Sequence, residues 1–398
     1  MEVSSRTGDA VFWQSMPQTQ PMGERAFIQS LRAQIARPSN SPRVSRPESS
    51  SRRRAGNRAG LTLGIGDDCA ILRPPAGHDL LVTTDFSLET IHFRREWHTP
   101  ESAGHRCLTR GLSDLAAMGA QPLAAFLSLA LPMELVRSRG GQPSWRARFF
   151  DGFFALADRY HVPLAGGDTA QSPVIPAASR RHLETGLALA DIVLIGSTPR
   201  NRALLRSGAK AGDCIYVTGF LGGAAAELAQ LAAHPRRFRA LNASPGEIGR
   251  GAANPHPHLF PEPRLTVGAW LLKNHRASSA IDISDGLSTD LHHLCEESKL
   301  AATVDAASLP IHPIARQESR SDPGKVLQWA LNGGEDYELL FTASPDVHIP
   351  RRIAGVPITH IGQMRAHSSS SPRVLLARRV HGRTTMRPLI SGGWEHFG

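Results

Sequence analysis

The sequence is poor in lysine, in aromatic residues and in paired cysteines. Four of its 45 basic residues are lysines, and aromatic residues make up 6% of the 398 residues. The cysteines are Cys69, Cys107, Cys214 and Cys295, and no two form a CxxC pair. This spacing argues against a zinc knuckle or a disulfide framework and favours a reducing, cytoplasmic compartment. Because no apolar run approaches the roughly 20 residues of a membrane-spanning helix, we expect no membrane association.

Familiar catalytic signatures are missing as well. The sequence contains no GxxxxGK[ST] loop, no HExxH pair, no GxSxG elbow and no HRD or DFG motif, and "GIGDDC" departs from GxGxxG at its last position. These absences argue against P-loop enzymes, protein kinases, zinc peptidases of the HExxH type and α/β-hydrolases. If the chain handles ATP, it does so on another scaffold.

The net charge of +10 is concentrated at the amino-terminal end. Residues 1–60 hold ten arginines and four acidic residues, a balance of +6, so that 10 − 6 = +4 remains for the rest of the chain. We interpret residues 1–60 as a mostly disordered basic region with a short helix near 23–37. A transit peptide and a start assigned ahead of Met22 both remain open. No basic–aromatic pattern accompanies the charge, so no nucleic acid is expected as a partner.

From Leu61 onward, strand and helix patterns alternate. The stretch "DLLVTTDFSL" predicts a strand, residues 102–118 and 145–160 predict helices, and "AIDISDGLSTDLHHLCEES" predicts a strand, an acidic turn and a helix. We therefore predict an α+β protein with mixed sheets and helices packed against them. Residues 61–196 form the predicted amino-terminal domain, which binds metal and nucleotide and mediates dimerisation, and residues 197–398 form the predicted carboxy-terminal domain.

Acidic residues recur at the ends of apolar strands or at turns beside glycine. The clusters are DD at 67–68, TTD at 83–85, Asp114 in "LSD", Asp168 in "GGDT", DISD at 282–285 and GGED at 333–336. A single Asp beside Gly is usually a turn or helix cap, and we predict that role for Asp290 and Asp305. Six clusters together predict a site of dense negative charge. Carboxylate oxygens suit magnesium, which also binds substrate phosphates.

Several further stretches follow one another along residues 22–398: "LGIGDDCAIL", "LSDLAAMGAQP", "LAGGDT", "RSGAK", "AIDISDGLSTDL", "LNGGEDYELLFT" and the terminal "GGWEHF". In this order they resemble the thiamine-monophosphate kinase family of the aminoimidazole-ribonucleotide synthetase-like superfamily. The resemblance implies the two-domain fold of that superfamily and a homodimer whose amino-terminal domains pair through their sheets. It also implies transfer of the γ-phosphoryl group of ATP, the co-substrate, to thiamine monophosphate, which gives thiamine diphosphate.

The resemblance also implies roles for individual residues. By matched position, several magnesium ions are held by Asp68, Thr83, Thr84, Asp85, Asp114, Asp168, Asp282 and Asp285. ATP contacts Gly167, Asp168, Arg206 and Ser284, and thiamine monophosphate contacts His92, Glu335 and Trp394. No catalytic side-chain base is expected, because the acceptor is already a phosphate anion. The charge of a bound metal would offset the repulsion between the adjacent carboxylates of Asp67 and Asp68. Asp68 would then be the ligand, and Asp67 would cap a turn or contact the groups that bind the metal.

Three positions depart from the family pattern, and two alternatives stay open. Thr90 stands where a glycine is usual, Gly111 where "NLSD" has asparagine, and "GGDTAQS" where "GGDTTRG" is usual. The first alternative is an ATP-dependent synthetase of the same superfamily that acts on an amide or selenide. The second is a non-catalytic, metal-stabilised dimeric binding protein.

Overall fold

The computed structural model describes Gln29 and residues 60–138, 141–173, 186–234, 253–319, 322–380 and 382–395. Contacts divide the chain into residues 1–38 and 39–398, and the description below concerns the second unit. The helix predicted near 23–37 and the disorder predicted for residues 1–60 lie outside the described residues, apart from the helical Gln29 and Gly60. No helix of the described ranges is long and apolar enough to cross a membrane.

A four-stranded sheet forms the first half. It follows a short hairpin of β1 (Gly60–Leu63) and β2 (Ile71–Arg73). Its strands are β3 (His78–Leu88), β4 (Gln121–Leu131), β5 (Leu164–Gln171) and β6 (Leu189–Pro199), in the order β3-β6-β4-β5. The β4–β5 pair is parallel and the other two pairs are antiparallel.

Three helices accompany this sheet: α1 (Pro100–Ala117), α2 (Met133–Val136) and α3 (Trp145–Tyr160). Thr99 caps the start of α1 by accepting from the Ser102 amide, and Pro100 occupies its first turn, where a missing N–H costs nothing. A side chain on Gly104 would meet the Phe149 carbonyl oxygen at 1.9 Å, so glycine lets α1 and α3 cross closely. As a result α1 is buried along most of its length.

An eight-stranded sheet forms the second half. Its strands are β7 (Cys214–Thr218), β8 (Ser279–Ile283), β9 (Leu300–Asp305), β10 (Glu338–Ala343), β11 (Arg352–Ile353), β12 (Val356–Ala366), β13 (Val374–Val380) and β14 (Arg383–Pro388). The order is β14-β13-β9-β12-β7-β10-β8, with β11 paired to β12. The helices are α4 (Gly223–Ala233), α5 (Leu265–Lys273), α6 (Leu287–Glu297), α7 (Pro313–Glu318) and α8 (Pro323–Asn332).

Packing brings strands of both sheets to α1. Fully buried apolar side chains from β7, β8, β10 and α6, such as Ile215, Ile283 and Leu291, form a continuous core. Helix α1 contacts β3 and β6 on one side and β8, β10 and α5 on others. The predicted α+β class is confirmed. The predicted domain boundary at 196/197 stays a prediction. It falls within β6, the last strand of the smaller sheet, and the first strand of the larger sheet, β7, begins at Cys214.

Candidate functional site

A cavity of about 560 Å³ lies between α1, β8, α8 and the carboxy-terminal segment. It is lined by residues from distant parts of the chain. The predicted site residues among them are Asp85, His92, Asp114, Asp282, Ser284, Asp285, Glu335 and Trp394. The fold therefore brings together acidic and substrate-contacting residues that the sequence places up to 309 positions apart, from Asp85 to Trp394 (394 − 85 = 309).

Three carboxylates from three elements form the acidic part of the cavity. Asp85 comes from β3, Asp114 from α1 and Asp282 from β8. Thr83 donates a hydrogen bond to Asp114 Oδ2, and Ser113 Oγ donates to Asp282 Oδ2 at 2.7 Å. Hydroxyl donors thus orient two of the carboxylates and leave further oxygen lone pairs for other partners.

Burial and mutual repulsion raise the pKa values of these carboxyls. The pKa of Asp282 rises to about 7, first through burial and then through the charge of Asp114. The pKa of Asp85 rises to about 6 through burial and Asp114, although the charge of Arg110 opposes the shift. Burial also raises the pKa of Asp114, against the hydrogen bond from Thr83. A cation placed among the three would relieve this repulsion.

Glu335 is held by a cage of positive groups. Arg106 Nη2 donates to Glu335 Oε1 at 2.6 Å, Arg110 Nη1 lies 3.5 Å from the same oxygen, and His258 Nδ1 lies 3.3 Å from Oε2. Burial alone would raise the pKa of Glu335, but Arg106, His258 and Arg110 outweigh it and hold that pKa well below its usual range. Glu335 is therefore an anion whose position is fixed.

Two buried histidines extend this cage away from the cavity. The Arg94 amide donates to His98 Nδ1 at 3.1 Å, and His98 Nε2 lies 3.0 Å from His258 Nε2. Every hydrogen bond in this series has a donor and an acceptor when His98 donates through Nε2 to His258 and His258 donates through Nδ1 to Glu335. Burial, followed by the charge of Arg106, lowers the pKa of both rings, that of His98 to about 3. Both rings are therefore neutral near pH 7 and support Glu335 from behind.

His92 and Trp394 also line the cavity. His92 Nδ1 accepts from the Leu88 amide at 3.0 Å, which leaves the proton of a neutral ring on Nε2. The Trp394 amide donates to the Asp285 carbonyl oxygen at 3.0 Å, while half of the Trp394 side chain stays exposed. A side chain on Gly393 would meet that same oxygen at 2.1 Å, so glycine allows the terminal segment to lie on this turn.

Ser284 and Arg206 lie at the cavity and beside it. The Ser284 carbonyl oxygen accepts from the Glu335 amide at 2.7 Å, which ties the end of β8 to the turn before β10. That turn holds Glu335 and Tyr337 at φ values of 66° and 49°, which non-glycine residues rarely adopt. Arg206 lies in an exposed turn, and its charge acts on both Asp114 and Asp282.

The remaining predicted residues are not among the described residues that line this cavity. Asp68 is exposed, and its amide donates to Asp67 Oδ1 at 3.0 Å, which agrees with a turn role for Asp67. Thr84 Oγ1 donates to Asp191 Oδ1 at 2.8 Å on the face of the sheet opposite Thr83, where Asp168 also lies. Gly167 approaches the Leu127 carbonyl too closely for a side chain. Their metal and nucleotide roles stay predictions.

The helix α1 carries site residues that the sequence analysis did not identify. Arg106 and Arg110 precede Asp114 at intervals of four, so the three lie one turn apart on one face. That spacing was a usable signal. No sequence signal indicated the roles of His98 and His258, because these two residues are partners of each other and lie more than 150 positions apart.

The other sequence expectations have specific structural counterparts. The Asp290 carboxylate accepts from the Asp285 and Gly286 amides of the turn before α6, and Asp305 caps a turn at Ala307, so the predicted turn or cap role of each is confirmed. Thr90 has a φ of 76°, the left-handed region that suits the glycine usual at that position. Gly111 faces Leu194, and a side chain there would meet Leu194 Cδ1 at 2.8 Å.

Comparisons with known proteins agree on one family. Residues 66–180 match the family described as AIR synthase related protein, N-terminal domain. Thiamine-monophosphate kinase from Escherichia coli (strain K12) is 39% identical over 317 residues, which cover 78% of this chain and 86% of that protein. The crystal structure of thiamine-monophosphate kinase from Stenotrophomonas maltophilia K279a is 35% identical, with a TM-score of 0.62, covering 80% of this chain and 92% of that one.

A further solved structure, of AaThiL complexed with AMPPCP and TMP, is 25% identical with a TM-score of 0.61. The alignment covers 96% of this chain and 99% of that chain. These similarities favour neither the synthetase nor the non-catalytic alternative. The chain belongs to the thiamine-monophosphate kinase family.

Proposed function

We propose that this chain transfers the γ-phosphoryl group of ATP directly to the phosphate of thiamine monophosphate, with magnesium held by the acidic cluster. The activity is that of the family. The observation that carries the proposal for this chain is the cavity that joins Asp85, Asp114 and Asp282 to Glu335 and Trp394. The AaThiL structure complexed with AMPPCP and TMP supports a site for a nucleotide and a thiamine phosphate in this fold.

The donor set fits magnesium. Asp85, Asp114 and Asp282 offer carboxylate oxygens, which are the ligands that this ion prefers. Their raised pKa values show that burying three such groups together is costly without a compensating cation. When bound, magnesium would neutralise phosphate charge and so reduce the repulsion between two polyanions. Asp285 and Thr83 lie beside this set, and the roles of Asp68, Thr84 and Asp168 as further ligands belong to the same proposal.

The organic part of the acceptor fits the part of the cavity around Glu335, on the other side of Arg110 from Asp85. The thiazolium ring of thiamine is cationic, and the indole of Trp394 offers a face for stacking or for a cation–π contact. Glu335 is held as an anion and can accept from the aminopyrimidine or complement the positive ring. His92 offers an Nε2–H donor on the same side. The phosphate of the acceptor is then directed toward the carboxylate cluster, where Arg206 and Ser284 would contact ATP.

The described residues favour transfer without a covalent enzyme intermediate. A phosphate acceptor has no proton that a base must remove, so alignment and charge neutralisation supply most of the catalysis. Of the histidines that line the cavity, His92 accepts from a backbone amide through Nδ1 and His258 is engaged by His98 and Glu335. His258 is therefore already engaged on both ring nitrogens.

The stereochemistry of transfer tests this proposal. ATP with a chiral, isotopically labelled γ-phosphoryl group should give thiamine diphosphate with inverted configuration, because one in-line displacement inverts the phosphorus. Enzyme incubated with labelled ATP alone should stay unlabelled. Retention of configuration, together with a phosphoenzyme that passes its label to thiamine monophosphate, would contradict direct transfer.

We further propose that the chain forms a homodimer through the four-stranded sheet. Leu80, Val82 and Phe86 alternate along β3 on the face away from α1 and are 48%, 67% and 61% exposed. An apolar sheet face of this kind favours pairing with a second copy. Val82→Glu together with Phe86→Glu should convert a dimer to a monomer in light scattering, whereas Asp346→Asn should not. A wild-type monomer at micromolar concentration would contradict the dimer.

The cytoplasm is the compartment we propose for this activity. All four cysteines are unpaired in the structure, which suits a reducing environment. The reaction also consumes ATP, which is abundant there. Fractionation of cells that express the full chain, with detection by antibody, should place it in the cytoplasmic fraction, and recovery from a secreted fraction would contradict this.

A further inference from the structure

We infer that Arg110 binds the phosphate of the acceptor, between the part of the cavity that holds the organic ring and the acidic cluster. The inference rests on the proposed function and adds a residue to it. Along one face of α1, Arg106, Arg110 and Asp114 follow one another at intervals of one turn. Glu335 contacts the first two of these residues, and Asp85 lies 3.5 Å from Arg110 Nη2. Arg110 thus lies between Glu335 and Asp85.

The two arginines differ in how far their donors are occupied. Arg106 is nearly fully buried and donates to Glu335, to the His92 carbonyl oxygen and to the His258 carbonyl oxygen. Arg110 makes one hydrogen bond, from Nη1 to the Tyr337 hydroxyl at 3.2 Å, and its two ion pairs are long at 3.5 Å. Its Nε has no hydrogen-bond partner although it is buried. A guanidinium has five donors, so Arg110 keeps donors for a ligand.

Arg110 also differs from Arg106 in its access to the cavity. Arg110 lines the cavity, whereas Arg106 does not appear in its lining. Among the described lining residues, Arg110 alone carries an arginine or lysine side chain, while five carboxylates face the same space. A phosphate entering such a space is repelled by the carboxylates wherever no cation compensates them. Arg110 provides that compensation, and its planar fork can contact two phosphate oxygens at once.

This position predicts a specific function for Arg110. A ligand whose ring lies beside Glu335 and whose phosphate reaches toward Asp85 must pass the guanidinium, because Arg110 lies between these two carboxylates. Thiamine lacks the phosphate but shares the ring system. Arg110 therefore distinguishes thiamine monophosphate from thiamine, and its effect should be confined to ligands that carry the phosphate.

Calorimetric binding of thiamine monophosphate and of thiamine, with magnesium and AMPPCP present, tests the inference. Arg110→Met should weaken binding of thiamine monophosphate about 10- to 100-fold, the range expected for charged hydrogen bonds, and change binding of thiamine by less than about threefold. Arg110→Lys keeps the charge without the fork and should show a smaller loss in the same direction. Arg148→Met, which removes an exposed ion pair with Glu101, is the matched control and should change neither affinity.

Three outcomes are decisive. Equal losses for both ligands would show that Arg110 supports Glu335 or the ring instead, and would overturn the inference. Unchanged affinity for thiamine monophosphate would overturn it as well. Failure of the wild-type protein to bind thiamine monophosphate, or to convert it with ATP, would instead contradict the proposed function. If Arg110→Met does not fold, the same comparison with Arg110→Lys carries the test.

Discussion

Arg106 and Glu335 lie 229 positions apart in the chain and are joined by a 2.6 Å hydrogen bond between Nη2 and Oε1. The pair links α1 to the turn that precedes β10. Arg106 is nearly fully buried, and Glu335 lies at the cavity with part of its side chain exposed. Arg106 also donates to the His92 carbonyl oxygen, so the arginine acts on the ligand through the groups that it holds and is a positioning residue.

Removing each partner should have different consequences. Arg106→Met leaves Glu335 with less compensation in a buried setting and should lower the free energy of unfolding by about 3 kcal/mol. Glu335→Gln keeps the shape, so we expect a smaller loss of stability and a rise in the KM for thiamine monophosphate, with the KM for ATP unchanged. Urea unfolding and steady-state kinetics measure both. A larger effect of Glu335→Gln on the KM for ATP would contradict the assignment of Glu335 to the acceptor.

The carboxylate cluster should be required for turnover but not for folding. Asp85→Asn and Asp282→Asn should each lower kcat by at least about 100-fold, because each removes a ligand for the charge that aligns two phosphates. Circular dichroism should show an unchanged fold, since burial of these charges is already unfavourable without a cation. Asp346→Asn, at an exposed position, is the control. Turnover near the wild-type value in either variant at saturating magnesium would contradict the shared-metal proposal.

Asp336 should make stability depend on pH. It is buried, it accepts from the Gly222 and Ala224 amides, and burial raises its pKa to about 7. Because the pKa in the folded chain exceeds that in the unfolded chain, the native state binds more protons between about pH 4 and 7. Stability is therefore lost as the pH rises through this range.

The variant Asp336→Asn isolates this effect. Relative to it, the wild-type protein should lose about 2–3 kcal/mol of unfolding free energy between pH 5 and pH 8. Urea denaturation at both pH values in the absence of ligands gives the difference. A wild-type protein that gains stability over that interval relative to Asp336→Asn would show that the two amide hydrogen bonds outweigh burial.

Thr90 predicts a stabilising substitution. It is β-branched and has a φ of 76°, a conformation that costs a non-glycine residue about 1 kcal/mol or more. Thr90→Gly should raise the free energy of unfolding by about 1 kcal/mol, because the relief of strain exceeds the added flexibility of the unfolded chain. Thermal or urea unfolding measures this. A lower stability of Thr90→Gly would mean that the Thr90 side chain makes compensating contacts.

The sequence predicted most of the fold because its local patterns agree with the packing. The alternation in "DLLVTTDFSL" became β3, the periodicity of residues 145–160 became α3, and the strand–turn–helix unit at β8 and α6 formed as expected. Acidic motifs indicated the cluster at Asp85 and Asp282, but the expectation that TTD at 83–85 ends its strand was wrong, because β3 continues to Leu88.

The remaining part of the site depends on contacts that no local pattern contains. Adjacent strand residues face opposite sides, so the side chains of Thr83 and Thr84 separate although the motif treats them alike. The cage around Glu335 forms because α1 packs against a turn more than 200 positions away. His98 and His258 become partners through that packing, and their spacing in the sequence does not indicate it.

The acidic cluster and the Glu335 region should together convert thiamine monophosphate. Product analysis with the purified full chain, ATP, magnesium and either thiamine monophosphate or thiamine tests this. We expect one thiamine diphosphate per ADP with thiamine monophosphate, no phosphorylated product with thiamine, and loss of both ADP and product in Asp282→Asn. ADP formed without thiamine diphosphate, or product formed equally well by Asp282→Asn, would contradict the proposed function.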